Sequence, residues 1–474
     1  HPMKRIAVTL FALLAATPLP AQTAQTAQTT QTPINWDSLG AETQRVLAAY
    51  LQINTTNPPG SELQTARFLQ KLLADNGIES QILDTTELGP GRANFYARLR
   101  GNGSKKAIAL VSHMDVVPVT PAFWSVDAFG GVVKDGFLYG RGALDMKGEG
   151  IAALMGMLAI KRSGMTLNRD IVIIGNADEE LGGTGAATFV DRHPDLLKDV
   201  EFLITEGGAN PLDHGHLLYY GVSVSEKRTF WQRLTVHGIP SHGSRPTKNN
   251  PVPRLVAALD RIAHYETPLR VTPGVRKYLH DLSSQFTGVQ AAWLANVDSA
   301  LKVPAAKAWI LGHVEWNAIL RNTISETGLS GSNKTNVIPA EATAELDIRL
   351  LPDQDTAAFK TEVVHVVNDT AVHWTTILPP KAALESPIET DLFRAIEHAA
   401  HDRDPKALIT TVMLTGATDR PTYRALNIVT YGLAPFKVEL DDAQRGVHGN
   451  DERISLENLK FGPHFIYDIL RYVQ

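Results

Sequence analysis

Acidic residues and a histidine follow three separate apolar runs in this sequence. The runs and the residues that follow them are Ala107–Ser112 with His113 and Asp115, Asp170–Ala177 with Glu179 and Glu180, and Val200–Thr205 with Glu206. Imidazole and carboxylate groups bind zinc-type metals and act as general acids and bases. Polar residues can simply mark where a strand leaves the core, but that alternative explains one such end better than three in succession. The pattern therefore favours a metal or acid–base site.

The spacing within these segments suggests which side chains bind a metal and which orient a ligand or act as a base. His113 and Asp115 are two residues apart, so in an extended chain both point to one side, and a carboxylate beside a metal-bound imidazole can orient it. Glu179 and Glu180 are adjacent and must point in different directions, so one can bind a metal while the other acts as a base. Taken alone, that pair is better explained as an exposed acidic turn. Asp145, which lies just before a predicted helix, would alone be read as its N-cap.

Composition narrows the choice of chemistry and of partners. The chain has 474 residues, 43% of them hydrophobic, and its 45 basic and 50 acidic side chains give a net charge of -5. Because no run of lysine or arginine stands out, a nucleic-acid partner is not expected. Cysteine is absent, which excludes disulfides, thiolate metal ligands and a cysteine nucleophile. Any metal must be held by His, Asp and Glu.

The apolar runs also predict the element types that position these residues. Uninterrupted runs are typical of strands buried on both faces, and helical patterns over Ser61–Asp75 and Lys147–Arg162 alternate with them. This alternation predicts an α/β domain with a mostly parallel sheet and helices on both faces, in which ligands bind at the carboxyl ends of the strands.

The pattern changes from about residue 227, where more polar strands alternate with helices and indicate an inserted α+β domain. We expect a first catalytic segment over residues 33–226, the inserted domain over 227–380, and a return to the catalytic domain over 381–474. Within the insert, the partly helical stretch Tyr265–Glu326 has no role that the sequence assigns.

Residues 1–32 have the composition of a targeting segment rather than of a folded domain. His1-Pro2 precedes Met3 and is interpreted as a tag remnant, basic Lys4-Arg5 leads into the apolar stretch Ile6–Ala16, and Gln22–Thr32 is a polar linker. This is the pattern of a cleavable signal peptide. We therefore expect a secreted or periplasmic protein with no stable membrane anchor after cleavage.

Several longer motifs carry a family resemblance that runs from about Pro33 to the C-terminal end. The motifs are SHMDVVP (Ser112–Pro118), GRGALDMKG (Gly140–Gly148), ADEELGGTGA (Ala177–Ala186), TEGG (Thr205–Gly208) and VHGNDE (Val447–Glu452). The chain resembles the M20 metallopeptidase family of glutamate carboxypeptidases, succinyl-diaminopimelate desuccinylases, aminoacylases and carnosinase-type dipeptidases. Its signal peptide, Ser225-Glu226-Lys227 and the long insert are similar to the carboxypeptidase S and N-fatty-acyl-amino-acid hydrolase branch.

The resemblance implies a zinc-peptidase-like catalytic domain, with two Zn²⁺ ions and Co²⁺ or Mn²⁺ as substitutes. Glu179 would be the general base and acid, Asp115 would orient His113, and the peptide bond between Asp145 and Met146 would be cis. The implied metal ligands are Asp145 as the bridge, His113 and Glu206 on one ion, and Glu180 and His448 on the other.

The resemblance also implies that the inserted domain is a ferredoxin-like lid, through which a homodimer can form. His242 would stabilise the oxyanion, and Arg349 and Asn336 would hold the free carboxylate of a substrate. A guanidinium suits that role because it can bind a carboxylate with two hydrogen bonds. The chain departs from common relatives at Glu149, where the family more often has a small residue.

These expectations combine into a functional hypothesis. The protein would hydrolyse the amide bond of N-acyl amino acids or small peptides that end in a free carboxylate, so its partner would be a small molecule or short peptide. Two alternatives stay open: a dipeptidase or aminopeptidase that reads a free amine, and a metal-containing binding protein without turnover.

Overall fold

The computed structural model describes residues 32–474, with the side chains of residue 86 and residues 443–445 left out. Among these residues, no helix has both the length and the apolar character needed to cross a bilayer. The strands, in chain order, are β1 (Ser80–Asp84), β2 (Ala93–Leu99), β3 (Ala107–His113), β4 (Val132–Lys134), β5 (Phe137–Tyr139), β6 (Ile171–Asn176), β7 (Val200–Thr205), β8 (Pro211–Asp213), β9 (His216–Leu217), β10 (Tyr220–Glu226), β11 (Arg228–Thr229), β12 (Trp231–His237), β13 (Ser241–His242), β14 (Thr323–Ser330), β15 (Val337–Ile338), β16 (Glu341–Leu350), β17 (Val372–Leu378), β18 (Ile409–Leu414), β19 (Val429–Gly432), β20 (Val438–Glu439) and β21 (Arg453–Ser455).

Helices connect most of these strands. They are α1 (Trp36–Leu51), α2 (Glu62–Asp75), α3 (Lys147–Ser163), α4 (Thr184–Arg192), α5 (Pro251–Ala263), α6 (Pro273–Leu282), α7 (Gly288–Ala295), α8 (Val297–Ala300), α9 (Pro304–Leu311), α10 (Val314–Ile319), α11 (Thr356–Val367), α12 (Asp391–Arg403), α13 (Arg420–Arg424), α14 (Leu440–Gly446) and α15 (Leu456–Tyr472). Residues 1–31, which hold most of the predicted signal peptide and linker, lie outside the described part of the chain.

The catalytic domain is built on an eight-stranded sheet in the order β1-β2-β6-β3-β7-β19-β10-β18. Its centre is parallel, because β3 pairs with both β6 and β7, and β7 pairs with β19, in the same direction. All six residues of β6 are buried: Ile171 and Ile173 belong to the core cluster that includes α3 and α15, and Val172 and Ile174 to the cluster that includes α4. Helices therefore cover both faces, and the predicted α/β fold with its mainly parallel sheet is confirmed.

The inserted domain is a two-layer arrangement of one antiparallel sheet and two helices. The chain runs β12-α5-β14-β16-α11-β17, and the strands lie in the order β14-β16-β12-β17. Alternate residues of β16, including Ala344, Leu346 and Ile348, face a core shared with α5 and α11. Period-two burial is expected when a sheet is covered on one face only.

The stretch that the sequence left without a role forms a cluster of short helices, α6–α10. This cluster packs against the edge of the large sheet as well as within itself: α6 lies against β18, and Thr411 Oγ1 donates a 2.8 Å hydrogen bond to the Gly274 carbonyl. Tyr219 and Met413 of the catalytic domain share its hydrophobic core. The helical cluster thus joins the insert to the edge of the catalytic sheet.

Candidate metal centre

Three of the predicted metal ligands lie where parallel strands of the large sheet have their carboxyl ends. Because β6, β3 and β7 are parallel neighbours, their carboxyl ends meet there. His113 is the last residue of β3, Glu179 and Glu180 follow β6, and Glu206 follows β7. Buried strands in fixed register bring to one place residues that are far apart in sequence.

Asp145 lies between two histidines. One of its carboxylate oxygens, Oδ1, is 3.0 Å from His113 Nε2, and the other, Oδ2, is 3.1 Å from His448 Nε2. Glu206 Oε2 lies 3.9 Å from His113 Nε2, and Glu180 Oε2 lies 3.1 Å from His448 Nε2. Ligand atoms about 2.0–2.2 Å from a tetrahedral zinc ion are roughly 3.3 Å from each other. The arrangement fits two ions that share the Asp145 carboxylate.

Two further observations support a cation at this site. His113 offers a ligand atom within 4.8 Å of those of Asp145 and Glu180, and also within 4.8 Å of those of Glu179 and Glu206. Glu180 Oε1 is buried and has no hydrogen-bond partner among residues 32–474. A buried carboxylate oxygen without a donor is costly, and a bound cation would satisfy it.

Burial, neighbouring charges and hydrogen bonds shift the pKa values of the groups in the site. Burial, and then the neighbouring charges of Asp145 and other carboxylates, raise the pKa of Glu206 to about 8, although His113 opposes the shift. Burial and the charge of Glu206 raise the pKa of Glu179 well above its usual range. Hydrogen bonds to Asp145 and Glu180 raise the pKa of His448 to about 10. Several carboxylates crowded into one buried place are an environment that favours divalent cations.

Asp115 positions the metal ligands and is not itself one of them. It is fully buried; its backbone carbonyl lies 3.0 Å from His113 Nδ1, and its carboxylate Oδ1 lies 3.6 Å from the same nitrogen. It also accepts hydrogen bonds from the backbone amides of Glu179 and Glu180, at 3.2 Å each, and from Asn57 Nδ2 at 2.8 Å. Burial opposes ionisation of Asp115, but the hydrogen bonds from His113 and Asn57 keep its pKa below the usual value. Asp115 thus fixes the imidazole through its backbone carbonyl and the Glu179–Glu180 loop through its carboxylate.

Glu452 holds the loop of the bridging Asp145, a role that sequence reasoning missed. Its buried carboxylate accepts hydrogen bonds from the amides of Gly142, Leu144 and Asp145, and from Arg141 Nη1 at 2.6 Å. Gly142 has φ +91°, and a Cβ there would lie 2.9 Å from the Val116 side chain, so the tight loop requires glycine. The peptide bond between Asp145 and Met146 is cis, as the resemblance implied. Glu452 lies in the quoted VHGNDE motif, which was the one available signal.

A cleft of about 380 Å³ opens beside the metal ligands, between the two domains. The catalytic domain contributes Asp145, Glu179, Glu206 and His448 to its walls, and the insert contributes Arg349. The structure therefore brings Arg349 to the same cleft as the predicted metal site and the predicted base.

Arg349 does not reach the cleft as a free guanidinium. Its Nε and Nη2 donate to the two oxygens of Asp347 at 2.7 and 3.1 Å, and its Nη1 donates to Thr229 Oγ1 at 3.0 Å. Asp347 Oδ1 also accepts a 2.9 Å hydrogen bond from Trp231 Nε1. Asp347 fixes the orientation of Arg349 and partly neutralises its charge.

His242 and Asn336 lie together, but away from this cleft. β13 pairs with β15, so that the Gly243 amide donates to the Asn336 carbonyl at 2.8 Å. The His242 side chain is exposed, and its Nδ1 lies 2.8 Å from Ser244 Oγ. Neither residue lines the cleft of its own chain. The predicted roles of His242 at the oxyanion and of Asn336 at the substrate carboxylate stay predictions.

Comparison with known proteins gives the family. Residues 109–472 match the peptidase family described as M20/M25/M40. The chain belongs to this family. It is 27% identical over 381 residues to the N-fatty-acyl-amino acid synthase/hydrolase PM20D1 of Xenopus tropicalis, covering 76% of this chain and 71% of the relative. It is 30% identical over 317 residues to aminoacylase-1 of Sus scrofa, covering 66% of this chain and 67% of the relative.

Solved structures show the same fold. The M20 metallo-carboxypeptidase Sso-CP2 of Sulfolobus solfataricus superposes with a TM-score of 0.70 at 17% identity, covering 91% of this chain and 99% of that one. The YXEP protein of Bacillus subtilis, described as a dinuclear metal-binding M20 peptidase, has a TM-score of 0.56 at 14% identity, with 92% and 98% covered. The predicted M20 resemblance is confirmed, and the protein is a metal-dependent hydrolase of the peptidase and amidohydrolase type.

Proposed function

We propose that the protein is a di-zinc hydrolase that cleaves the amide bond of N-acyl amino acids or short peptides ending in a free carboxylate. The proposal rests above all on Asp145, whose two oxygens face His113 and His448 in a cleft that also contains Arg349. The names of PM20D1 and aminoacylase-1 support amide substrates built on an acylated amino acid.

The chemistry of the ligands suits two zinc ions. His113, Asp145 and Glu206 would hold one ion, and Asp145, Glu180 and His448 the other. Bound in this way, paired zinc ions would supply Lewis-acid activation of a water molecule and of the substrate carbonyl. Co²⁺ and Mn²⁺ accept the same nitrogen and oxygen ligands, so we expect them to substitute.

Glu179 would move the proton. Its carboxyl group lines the cleft, and burial raises its pKa well above the usual value. A carboxyl group whose pKa is raised holds a proton more readily than an ordinary one, which suits a group that accepts a proton and returns it. Glu179 would accept the proton of the attacking water and pass it to the nitrogen of the leaving amine.

Arg349 would recognise the carboxylate of the substrate. Because Asp347 already accepts hydrogen bonds from Nε and Nη2, the substrate would meet Nη1 and the outer edge of the guanidinium. His242 and Asn336 would complete a cleft from the lid of a second copy of the chain, since neither lines the cleft of its own copy. The signal-like pattern of residues 1–32 supports placing the enzyme outside the cytoplasm.

A hydrolysis screen of the zinc-loaded protein tests the proposal. The panel pairs N-acyl amino acids and dipeptides with the same compounds amidated at the C-terminal carboxyl group. We expect cleavage that needs the free carboxylate and disappears with a chelator. Equal cleavage of the free-carboxylate and amidated compounds would contradict the role of Arg349. Metal binding without any cleavage would favour the binding-protein alternative.

A further inference from the structure

A second, smaller cavity of about 240 Å³ adjoins the metal centre. Its walls include residues next to the ligands in sequence: Leu144 precedes Asp145, and Val447 precedes His448. Phe436 and Val438 make much of the remaining lining apolar. The cavity and the cleft that contains Arg349 share no lining residue, although both are lined by residues at or next to the metal ligands.

The mouth of the cavity is open to solvent. Leu440 and Val447 line it, and their side chains are 40% and 46% exposed. Exposed apolar side chains around a concavity beside a reactive centre are typical of a ligand site. An apolar group of a substrate would cover them.

One carboxylate interrupts this apolar lining. Glu149 lies in the first turn of α3 and contributes to the wall of the cavity. Its Oε2 is buried and has no hydrogen-bond partner among the described residues. A buried carboxylate oxygen without a donor destabilises the protein unless a ligand brings one.

The backbone around Glu149 is closely packed. A Cβ on the preceding Gly148 would lie 2.1 Å from the Ala143 carbonyl oxygen and 3.4 Å from the Phe436 ring. The backbone of this turn therefore has no room to move toward either neighbour.

We propose that the small cavity is the subsite for the acyl side of the substrate, and that Glu149 selects an acyl group that carries an amine. This inference rests on the proposed function. With the substrate carboxylate at Arg349 and the scissile amide at the metal ligands, the acyl group would enter the cavity lined by Leu144 and Val447, the neighbours of two ligands. An ammonium there would donate to the unpartnered oxygen of Glu149.

The size of the cavity limits which acyl groups it can hold. Pockets for drug-sized ligands begin at roughly 300 Å³, and this cavity is smaller at about 240 Å³. It suits one amino-acid residue with an apolar side chain and is too small to enclose a long hydrocarbon chain. The preferred substrate would be a dipeptide with an apolar N-terminal residue and a free amine.

A matched pair of substrates tests this preference. Leucyl-leucine and 4-methylpentanoyl-leucine differ only in the α-amino group. The zinc-loaded full chain should cleave the dipeptide with a kcat/KM at least about tenfold higher. The variant Glu149→Gln should remove most of that difference by slowing dipeptide cleavage, while cleavage of the deaminated compound and zinc content stay near wild-type values. Glu79→Gln, at an exposed position, is the matched control.

Each result separates the two proposals. If the wild type cleaves both compounds equally, or if Glu149→Gln slows both equally or loses zinc, the subsite is overturned and the proposed function stands. If the wild type cleaves neither, the proposed function fails and the subsite with it. Should Glu149→Gln fail to fold, Val438→Phe tests the cavity, because it should impair leucyl-leucine more than glycyl-leucine. Equal impairment of the two dipeptides would overturn the subsite.

Discussion

The two halves of the candidate site differ in how the chain builds them. On the catalytic side, His113, Asp145, Glu180, Glu206 and His448 converge within hydrogen-bonding distance or slightly beyond it. On the side of the insert, Arg349 reaches the cleft, whereas Asn336 and the predicted oxyanion-stabilising His242 do not line it. A site inside one sheet is determined by strand register, whereas a site between domains depends also on how the domains, or two copies of the chain, meet.

Burial explains part of this contrast. His113 is buried at the end of a strand whose neighbours hold it in register, with His113 opposite Asn176. His242, by contrast, lies in a two-residue strand and is exposed. A buried polar side chain must find its partners within the fold, but an exposed one is free to find them elsewhere.

The largest effect should come from the bridging residue. Asp145→Ala removes the carboxylate that both ions would share, so activity should fall by roughly a thousandfold or more and metal content should drop below two ions per chain. Elemental analysis and steady-state kinetics measure both. Glu179→Gln is the matched control, since it should lose activity by roughly 10²–10⁴-fold and keep its metal. Full metal content in the Asp145 variant would break the bridging assignment.

The next effect concerns the exposed lid histidine. His242→Ala should lower kcat by about a hundredfold without changing metal content, because it removes one donor to the developing oxyanion. If the histidine acts across a dimer, mixing this variant with Glu179→Gln should restore part of the activity. In a mixed dimer, one of the two clefts combines the intact Glu179 of one copy with the intact His242 of the other. No recovery in dimers shown to exchange subunits would place His242 in its own copy's cleft or outside the reaction.

A smaller effect is expected at the one insert residue that reaches the cleft. Arg349→Lys keeps the charge but loses the planar fork, so KM should rise by about tenfold with kcat nearly unchanged. The comparison of carboxylate and amidated substrates measures the effect. An equal loss on both substrates would show that Arg349 supports the cleft, through Asp347, rather than the substrate.

The smallest effect concerns stability away from both regions. His464 stacks on Trp36, and burial together with Arg403 lowers its pKa to about 3. Between pH 6.5 and 3 the unfolded chain binds a proton that the folded chain excludes, so this histidine makes stability fall as the pH falls. Between pH 7 and pH 4.5, the free energy of unfolding, measured with urea, should fall by about 1 kcal/mol more for wild type than for His464→Gln. Equal losses would contradict the shift.

Much of the catalytic side could be predicted because its signals are local. The apolar run Val200–Thr205 is β7 residue for residue, and the acidic residues that follow β6 and β7 lie at the carboxyl edge of the sheet. The pairing of Arg349 with Asp347 and the support of Asp145 by Glu452 were not predicted. Those contacts depend on side-chain orientation and on packing between distant segments, which residue types and spacing do not encode.

The loop that carries Asp145 has a consequence for biosynthesis. Asp145 and Glu452 are 307 residues apart, yet the amide of one is fixed by the carboxylate of the other. A ribosome therefore has to elongate the chain past Glu452 before the loop has its support and His448 is available. Until then, the nascent polypeptide has only part of the residue set that the candidate site needs, so the site can form only near the end of synthesis.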